Sequence, residues 1–156
     1  MTDNETPVKP IETPQKATLS DLECATITVV ITLADDSPVT VPMKMIPQHR
    51  MMQLSAMIPS AMPPVVDYKT DGSRQPIYGY NDPAFVASVG RVQFERNCLM
   101  LAEMVQLDIP GATTEEKASY IRETFDPIVT DQLVNVIGER REKAKARIVT
   151  RAETFH

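Results

Sequence analysis

The amino-acid sequence predicts an α+β fold, in which a small N-terminal β-hairpin part is followed by a C-terminal half of three helices. Residues 25–33 are rich in β-branched side chains, and large apolar residues alternate there with threonine and valine. This is the pattern of a half-buried strand. After Asn81, three stretches with helical apolar spacing begin and end at typical helix start and stop residues. The length of 156 residues leaves room for one ordinary domain with a tail, or for two small subdomains.

Residues 1–23 are expected to form a flexible, proline-rich leader. Pro7, Pro10 and Pro14 stand among Thr, Glu, Lys and Gln, and large apolar side chains are few. Such a segment cannot bury enough apolar surface to offset the entropy that it loses on ordering. Folding of this leader on a partner is left open.

Residues 24–80 are expected to form a β-rich part that contains one short helix. Ile27, Val29 and Ile31 alternate with threonine and valine in a first strand. Residues 34–38 carry turn chemistry, and the strand pattern resumes at 39–41, which completes a hairpin. Because Pro42 cannot donate a backbone hydrogen bond, the second strand is expected to be an edge strand or to be bulged there.

A short helix is predicted to start at Pro47 and to end at about Met57. Its apolar positions are Met51, Met52, Leu54, Met57 and Ile58. Beyond it, residues 65–69 and 75–80 flank the turn-like residues 70–73, which predicts a second hairpin or a mobile loop.

Residues 81–138 are expected to form the helical part, and its first helix, over residues 83–107, carries two apolar rows. One row contains Phe85, Val89, Val92 and Leu99, and the other contains Phe94, Cys98, Leu101 and Val105. A helix with two apolar sides is either packed within its own domain or offers one side to a partner. For the second case, the candidate partner-binding residues are Val89, Val92, Phe94, Leu99, Met100, Leu101 and Val105, together with Met51, Met52 and Met57. Methionine suits such a surface because its flexible side chain adapts to varied partners.

Two further helices follow. Thr113 and Glu116 form a capping-box pattern at the start of a helix over residues 114–125. The third helix begins at Pro127 and is expected to continue toward residue 148, with its inward positions at Val129, Leu133, Val136 and Ile137.

Residues 139–156 are expected to form a basic helical extension or a tail. Its candidate basic patch consists of Arg140, Arg141, Lys143, Lys145 and Arg147. Cations near the end of a helix stabilise its dipole, so solubility and stability are one interpretation. Binding of an acidic protein surface is the second interpretation, and binding of nucleic acid is the third.

The composition argues against an enzyme, a metal site and a bound cofactor. Histidine occurs only at His49 and His156, and the five glycines form no phosphate-binding loop. Cys24 and Cys98 have no zinc-type spacing and fit a reducing compartment. A net charge of −5 argues against general binding of nucleic acid, and no apolar run reaches the ~18 residues that a membrane helix needs.

Five short segments, behind the β-rich start, carry a resemblance to a known family. They are KMIPQHR at 44–50, YNDPAF at 80–85, ERN at 95–97, IPGATTEEK at 109–117 and FDPIV at 125–129. Their succession resembles the tail assembly chaperones of long-tailed (siphovirus-like) bacteriophages and prophages. The resemblance covers residues 27–137 and leaves out the leader and the basic end.

The resemblance implies a non-enzymatic protein that coats the tape measure protein, keeps that long helical chain soluble and helps recruit tail-tube subunits. It implies a location in the cytoplasm of the infected or lysogenic host, and absence from the mature virion. Self-association and a longer frameshifted product are left open. The alternatives are a structural head-tail connector or minor tail protein and, third, a small DNA-binding regulator.

Overall fold

The computed structural model describes residues 13–154, apart from the side chains of residues 144 and 147–154. The helices are α1 (Leu19–Leu22), α2 (Gln48–Ala56), α3 (Pro83–Met104), α4 (Thr114–Thr124) and α5 (Pro127–Thr154). The strands are β1 (Thr26–Thr32), β2 (Pro38–Lys44), β3 (Val65–Tyr68) and β4 (Pro76–Tyr78). The predicted α+β fold, with β-hairpins before a helical half, is confirmed.

The predicted leader contains one turn of helix, α1, that the sequence analysis did not predict. The Thr18 backbone N–H donates to the Asp21 carboxylate at 2.8 Å, which caps this turn. Leu19 and Leu22 are both highly exposed, and α1 packs against no other described helix or strand. Residues 1–12 of the predicted leader lie outside the described residues.

The first hairpin pairs β1 with β2 in antiparallel register, with Val29 opposite Val41. Val29, Ile31, Val41 and Met43 are buried on one face, whereas Val30 is 68% exposed on the other. The predicted alternation along β1 is therefore confirmed. The tight turn uses Asp36 at a positive φ of 63° and the Asp35 carboxylate, which accepts the Ser37 N–H at 3.1 Å.

Strand β2 passes through Pro42 without a bulge and extends to Lys44, beyond the predicted end at residue 41. Pro42 stands at a position whose backbone points to the outer edge, since its carbonyl accepts the Gln106 N–H at 2.8 Å. A missing N–H there removes no bond between β1 and β2. The edge-strand expectation is confirmed, and the bulge alternative is wrong.

The core surrounds the C-terminal half of α3. α2, α4, α5 and β2 all contact α3, and β1 packs against α5. The side chains with less than 2% exposure come from five of these elements: Met43, Leu54, Cys98, Leu101, Met104, Ile121 and Leu133. Methionine and aliphatic residues therefore fill the interior, as expected for a chain that has no tryptophan.

Helix α3 ends at Met104, three residues before the predicted end. Val105 is extended and forms an isolated antiparallel bridge with Met43 of β2. The bridge and the bond from Gln106 to Pro42 give partners to the outer edge of β2. We attribute the end of α3 at this point to the outer edge of β2, whose backbone N–H and C=O groups need hydrogen-bond partners.

Helix α4 starts with the predicted cap. The Thr113 hydroxyl accepts the Glu116 N–H at 3.2 Å, and the Glu116 carboxylate reaches back to the Ala112 N–H at 2.7 Å. Glycine is required at 111, because its φ is 136° and a Cβ there would lie 2.8 Å from the Lys117 nitrogen. α4 ends at Thr124, one residue before the predicted end.

Helix α5 continues to Thr154, beyond the predicted end at residue 148. Leu133 and Ile137 are buried, and Val129 and Val136 pack partly against the core, so the predicted inward face is confirmed. The Gln132 side chain accepts the Thr32 N–H at 2.8 Å and donates to the Thr32 carbonyl at 2.7 Å. This amide fixes α5 against the edge of β1.

Helix α2 begins one residue later than predicted, with Pro47 as its N-cap residue. The Arg50 Nε donates to both carboxylate oxygens of Glu103, at 2.7 and 2.9 Å, and the Thr114 hydroxyl donates to the same carboxylate at 3.2 Å. Glu103 thus joins α2 and the start of α4 to α3. The hydrogen bonds from Arg50 lower the pKa of the Glu103 carboxyl below its ordinary value.

Replacing Glu103 with glutamine is expected to lower the free energy of unfolding at pH 7 by about 1 kcal/mol, because part of the pair is solvated. A lowered carboxyl pKa adds stability that is present above the unfolded pKa and lost as the pH falls through the folded pKa. The gap between wild type and Glu103→Gln should therefore begin to narrow once the pH falls below the ordinary Glu pKa of 4.5. Urea unfolding from pH 7 to pH 3 measures it. Glu123→Gln, whose exposed carboxylate lies 3.5 Å from Arg122, should behave as wild type throughout.

Candidate protein-binding surface

The second hairpin, formed by β3 and β4, is confirmed. Val65 pairs with Tyr78 and Asp67 pairs with Ile77, so Val66 is an extra residue that forms a bulge. The Gly79 N–H donates to the Pro64 carbonyl at 2.8 Å and closes the open end. A Cβ at Gly79 would lie 2.7 Å from the Val66 side chain, so glycine permits this close packing.

This hairpin stands away from the core. Every residue of β3 is exposed, and the hairpin packs against no other described helix or strand. Its link to α3 is aromatic: the Tyr80 ring lies 6.3 Å from the Tyr78 ring and 6.0 Å from the Phe85 ring, both edge-on. An isolated two-stranded hairpin is marginally stable in water, so this one is expected to gain stability from a partner.

Apolar side chains are also exposed on the N-terminal half of α3, which follows the hairpin in the chain. Asp82 caps this helix by accepting the Phe85 N–H at 3.0 Å, and Pro83 is its first residue. Val86 is 54% exposed, Val89 46% and Phe94 41%. We name the exposed apolar side chains of the hairpin, of Tyr80 and of this half of α3 the projecting surface, in which Val89 and Phe94 lie on different sides of the helix. It consists of Val65, Val66, Tyr68, Ile77, Tyr78, Tyr80, Val86, Val89 and Phe94. Apolar regions of this kind on a protein surface mark binding sites.

The predicted partner-binding residues of α3 separate into two groups. Val89 and Phe94 are exposed, and Val92 and Met100 are half-buried. Leu99, Leu101 and Val105 are buried in the chain's own core, so this structure does not offer their side chains to a partner. They pack inward because the first hairpin, α2, α4 and α5 all gather around this end of the helix.

The three predicted methionines lie on or beside α2, which packs against α3. Met52 is 63% exposed and Met57 is 39% exposed. Met51 is half-buried, and its sulfur accepts a hydrogen bond from Arg141 of α5 at 2.8 Å. Arg96 donates to the Ile58 carbonyl at 2.8 Å, which ties the segment after α2 to the middle of α3. Met52 and Met57 remain candidates for contact with a partner.

The predicted basic patch lies on the part of α5 that extends beyond the core. Arg140, Arg141, Lys143 and Lys145 are exposed, and the Lys145 ammonium lies 3.7 Å from the Glu142 carboxylate. The side chain of Arg147 lies outside the described residues. This extension presents cations to solvent, and Arg141 also contacts α2.

Sequence reasoning missed most of the projecting surface, since none of its hairpin residues was a candidate. A usable signal was present. Large apolar residues stand side by side in both strands, as Val65 with Val66 and Ile77 with Tyr78. Ile77 and Tyr78 are neighbours in β4 and point to opposite faces, so both faces of this hairpin carry apolar side chains. A two-stranded hairpin with two apolar faces requires either a large core around it or a partner.

The remaining candidates for a reactive or metal-binding site are a cysteine thiol, a histidine and the acidic side chains. Burial raises the pKa of the Cys98 thiol, and Cys98 lines a cavity of about 130 Å³ between α3 and α4. His49 is exposed and lies 3.0 Å from the Gln53 side-chain nitrogen. Across the part of residues 13–154 whose side chains the structure describes, His, Cys, Asp and Glu form no cluster of three that could hold a metal ion. In the same range, no helix has both the length and the apolar character to cross a bilayer.

Comparisons with protein-family models, with curated proteins and with solved structures returned no match.

Proposed function

We propose that this chain is a tail assembly chaperone of a long-tailed bacteriophage or prophage, which binds the tape measure protein and keeps it soluble. The observation that carries the proposal is the projecting surface, a set of exposed apolar side chains on the second hairpin and on the N-terminal half of α3. The family resemblance of residues 27–137 supplies the identity of the client. In this proposal the protein acts by binding, and the client is handed over to tail-tube subunits.

The chemistry of the projecting surface suits a helical apolar client. A tape measure protein of this family presents repeated apolar stripes along long helices, and such a stripe is bound by apolar side chains that cover it. Tyr68, Tyr78 and Tyr80 combine an apolar ring with a polar hydroxyl, as is common in binding hot spots. The exposed Asp67 and Lys69 supply a polar rim that keeps the free protein soluble.

Co-expression with the tape measure protein tests the proposal. The client alone is expected in the insoluble fraction, and the pair is expected to remain soluble and to co-purify. The chain should be absent from purified virions. A tape measure protein that stays insoluble in its presence, or the chain as a stoichiometric virion component, would contradict the proposal. The second result would favour a structural head-tail connector or minor tail protein.

A further inference from the structure

The two edges of the first hairpin differ in how their backbone groups are used. The Leu33 N–H donates to the Ser37 carbonyl, and the Met45 N–H donates to the Ala25 carbonyl. With the continuous register between them, these bonds place the β1–β2 ladder on the odd-numbered residues of both strands. The backbone groups of the even-numbered residues therefore point to the two outer edges.

The outer edge of β2 is protected. Pro38 and Pro42 occupy outward positions and have no N–H, and the Pro42 carbonyl is already bonded to Gln106. Proline and added cover are two of the devices by which proteins prevent unwanted strand pairing.

Over most of its length, the outer edge of β1 has neither a proline nor a covering segment among the described residues. No residue of β1 is charged or proline. Its last outward residue, Thr32, is capped on both backbone groups by Gln132. Within the described part of the chain, nothing is hydrogen-bonded to the outward backbone groups of Thr26, Thr28 and Val30. Three consecutive outward positions are thus ready to pair with another strand.

We propose that two copies of this chain associate through β1, in antiparallel register about Thr28, to form a continuous four-stranded sheet. In this register Thr28 pairs with Thr28 of the second copy, and Thr26 pairs with Val30. Strand β1 is self-complementary in this register, because Thr26, Thr28 and Val30 of each copy all pair with a residue of the other copy. A register centred on Val29 would require Thr32, whose backbone Gln132 already occupies.

The side chains also favour a second copy as the occupant. On the outer face, the 68% exposed Val30 would pack against Thr26 of the second copy, and threonine would face threonine at the centre. On the core face, the half-buried Ile27 would gain cover from the second copy. Because β1 carries no charged residue, the paired positions of the two strands themselves add no repulsion between like charges.

The mass in solution and the exchange of the outward amides test this proposal together. Sedimentation of the full chain from about 10 μM to about 500 μM should show a monomer–dimer equilibrium, reaching twice the 17.4 kDa chain mass. Over the same range, the amides of Thr26, Thr28 and Val30 should become protected from hydrogen exchange as the concentration rises. A monomer at every concentration would overturn the proposal. Protection that does not depend on concentration would also overturn it, because a segment of the same chain would then cover the edge.

Substitutions at one outward position of β1 and at one outward position of β2 test which edge forms the contact between the two copies. Thr28→Lys places two like charges opposite each other, and Thr28→Pro removes an outward N–H without removing a bond between β1 and β2. Each is expected to raise the dissociation constant at least about tenfold. The matched controls, Thr40→Lys and Thr40→Pro, change the outward position of β2 opposite Val30 and should dimerise as wild type. Dimers that are equally strong in all four variants would place the contact elsewhere and overturn the proposal.

Discussion

Replacing Leu101 with alanine is expected to lower the free energy of unfolding by about 2–5 kcal/mol, which is the cost of removing a large buried aliphatic side chain. Leu101 is 0% exposed and lies on the half of α3 that α2, α4, α5 and β2 surround. Since several anchored elements meet there, the cavity left by alanine can collapse only in part. For a chain of this length, a loss of about 3 kcal/mol lowers the Tm by about 6–12 °C.

Val89→Ala is the matched control for this prediction, because it shortens an aliphatic side chain on the same helix. Val89 is 46% exposed on the projecting half of α3, so the free energy of unfolding should change by less than about 0.5 kcal/mol. Alanine also favours the helical conformation more than valine does. Urea unfolding followed by circular dichroism measures both variants. Equal losses in Leu101→Ala and Val89→Ala would contradict the division of α3 into a core half and an exposed half.

The type and order of the elements could be predicted because their signals are local. Each signal depends on residues that are close together in the sequence. The examples are the alternation along β1, the helix cap at Thr113 and the helix-starting proline at 127. The structure places strands and helices at these positions. Two boundaries were missed for a reason that is not local: β2 continues through Pro42, and α3 stops before Val105. Both depend on which backbone groups of β2 point outward, and only the register with β1 determines this.

The sites were less predictable than the fold. Val89 and Leu99 belong to one apolar row of α3, and periodicity gives them the same role. In the structure, Val89 is 46% exposed and Leu99 is 3% exposed. The difference arises from α2, α4, α5 and the first hairpin, which come together around one end of the helix. Helical spacing shows that a row is apolar, but it does not show what covers the row.

Under the proposed function, the double variant Val86→Glu and Val89→Lys is expected to weaken binding of the tape measure protein about 10- to 100-fold. Burying a fully exposed valine contributes about 1.5–3 kcal/mol, and 1.4 kcal/mol corresponds to a factor of ten. Val86 is 54% exposed and Val89 is 46% exposed, so each can gain about half of that contribution in a complex. The two positions are three residues apart on α3, so the new glutamate and lysine can pair along the helix and the net charge is unchanged. Helix stability should therefore be maintained while the apolar contact is lost.

Binding and stability are measured on the same preparations, with a soluble apolar helical segment of the tape measure protein as the ligand. Leu19→Glu is the control: Leu19 is 82% exposed on α1, outside the projecting surface, so removing this apolar side chain should leave binding unchanged. Both variants are expected to unfold within about 0.5 kcal/mol of wild type. A double variant that folds normally and binds as tightly as wild type would exclude the projecting surface as the client site. Equal weakening by Leu19→Glu would instead point to general hydrophobic adhesion, because the effect would not depend on where the apolar side chain lies.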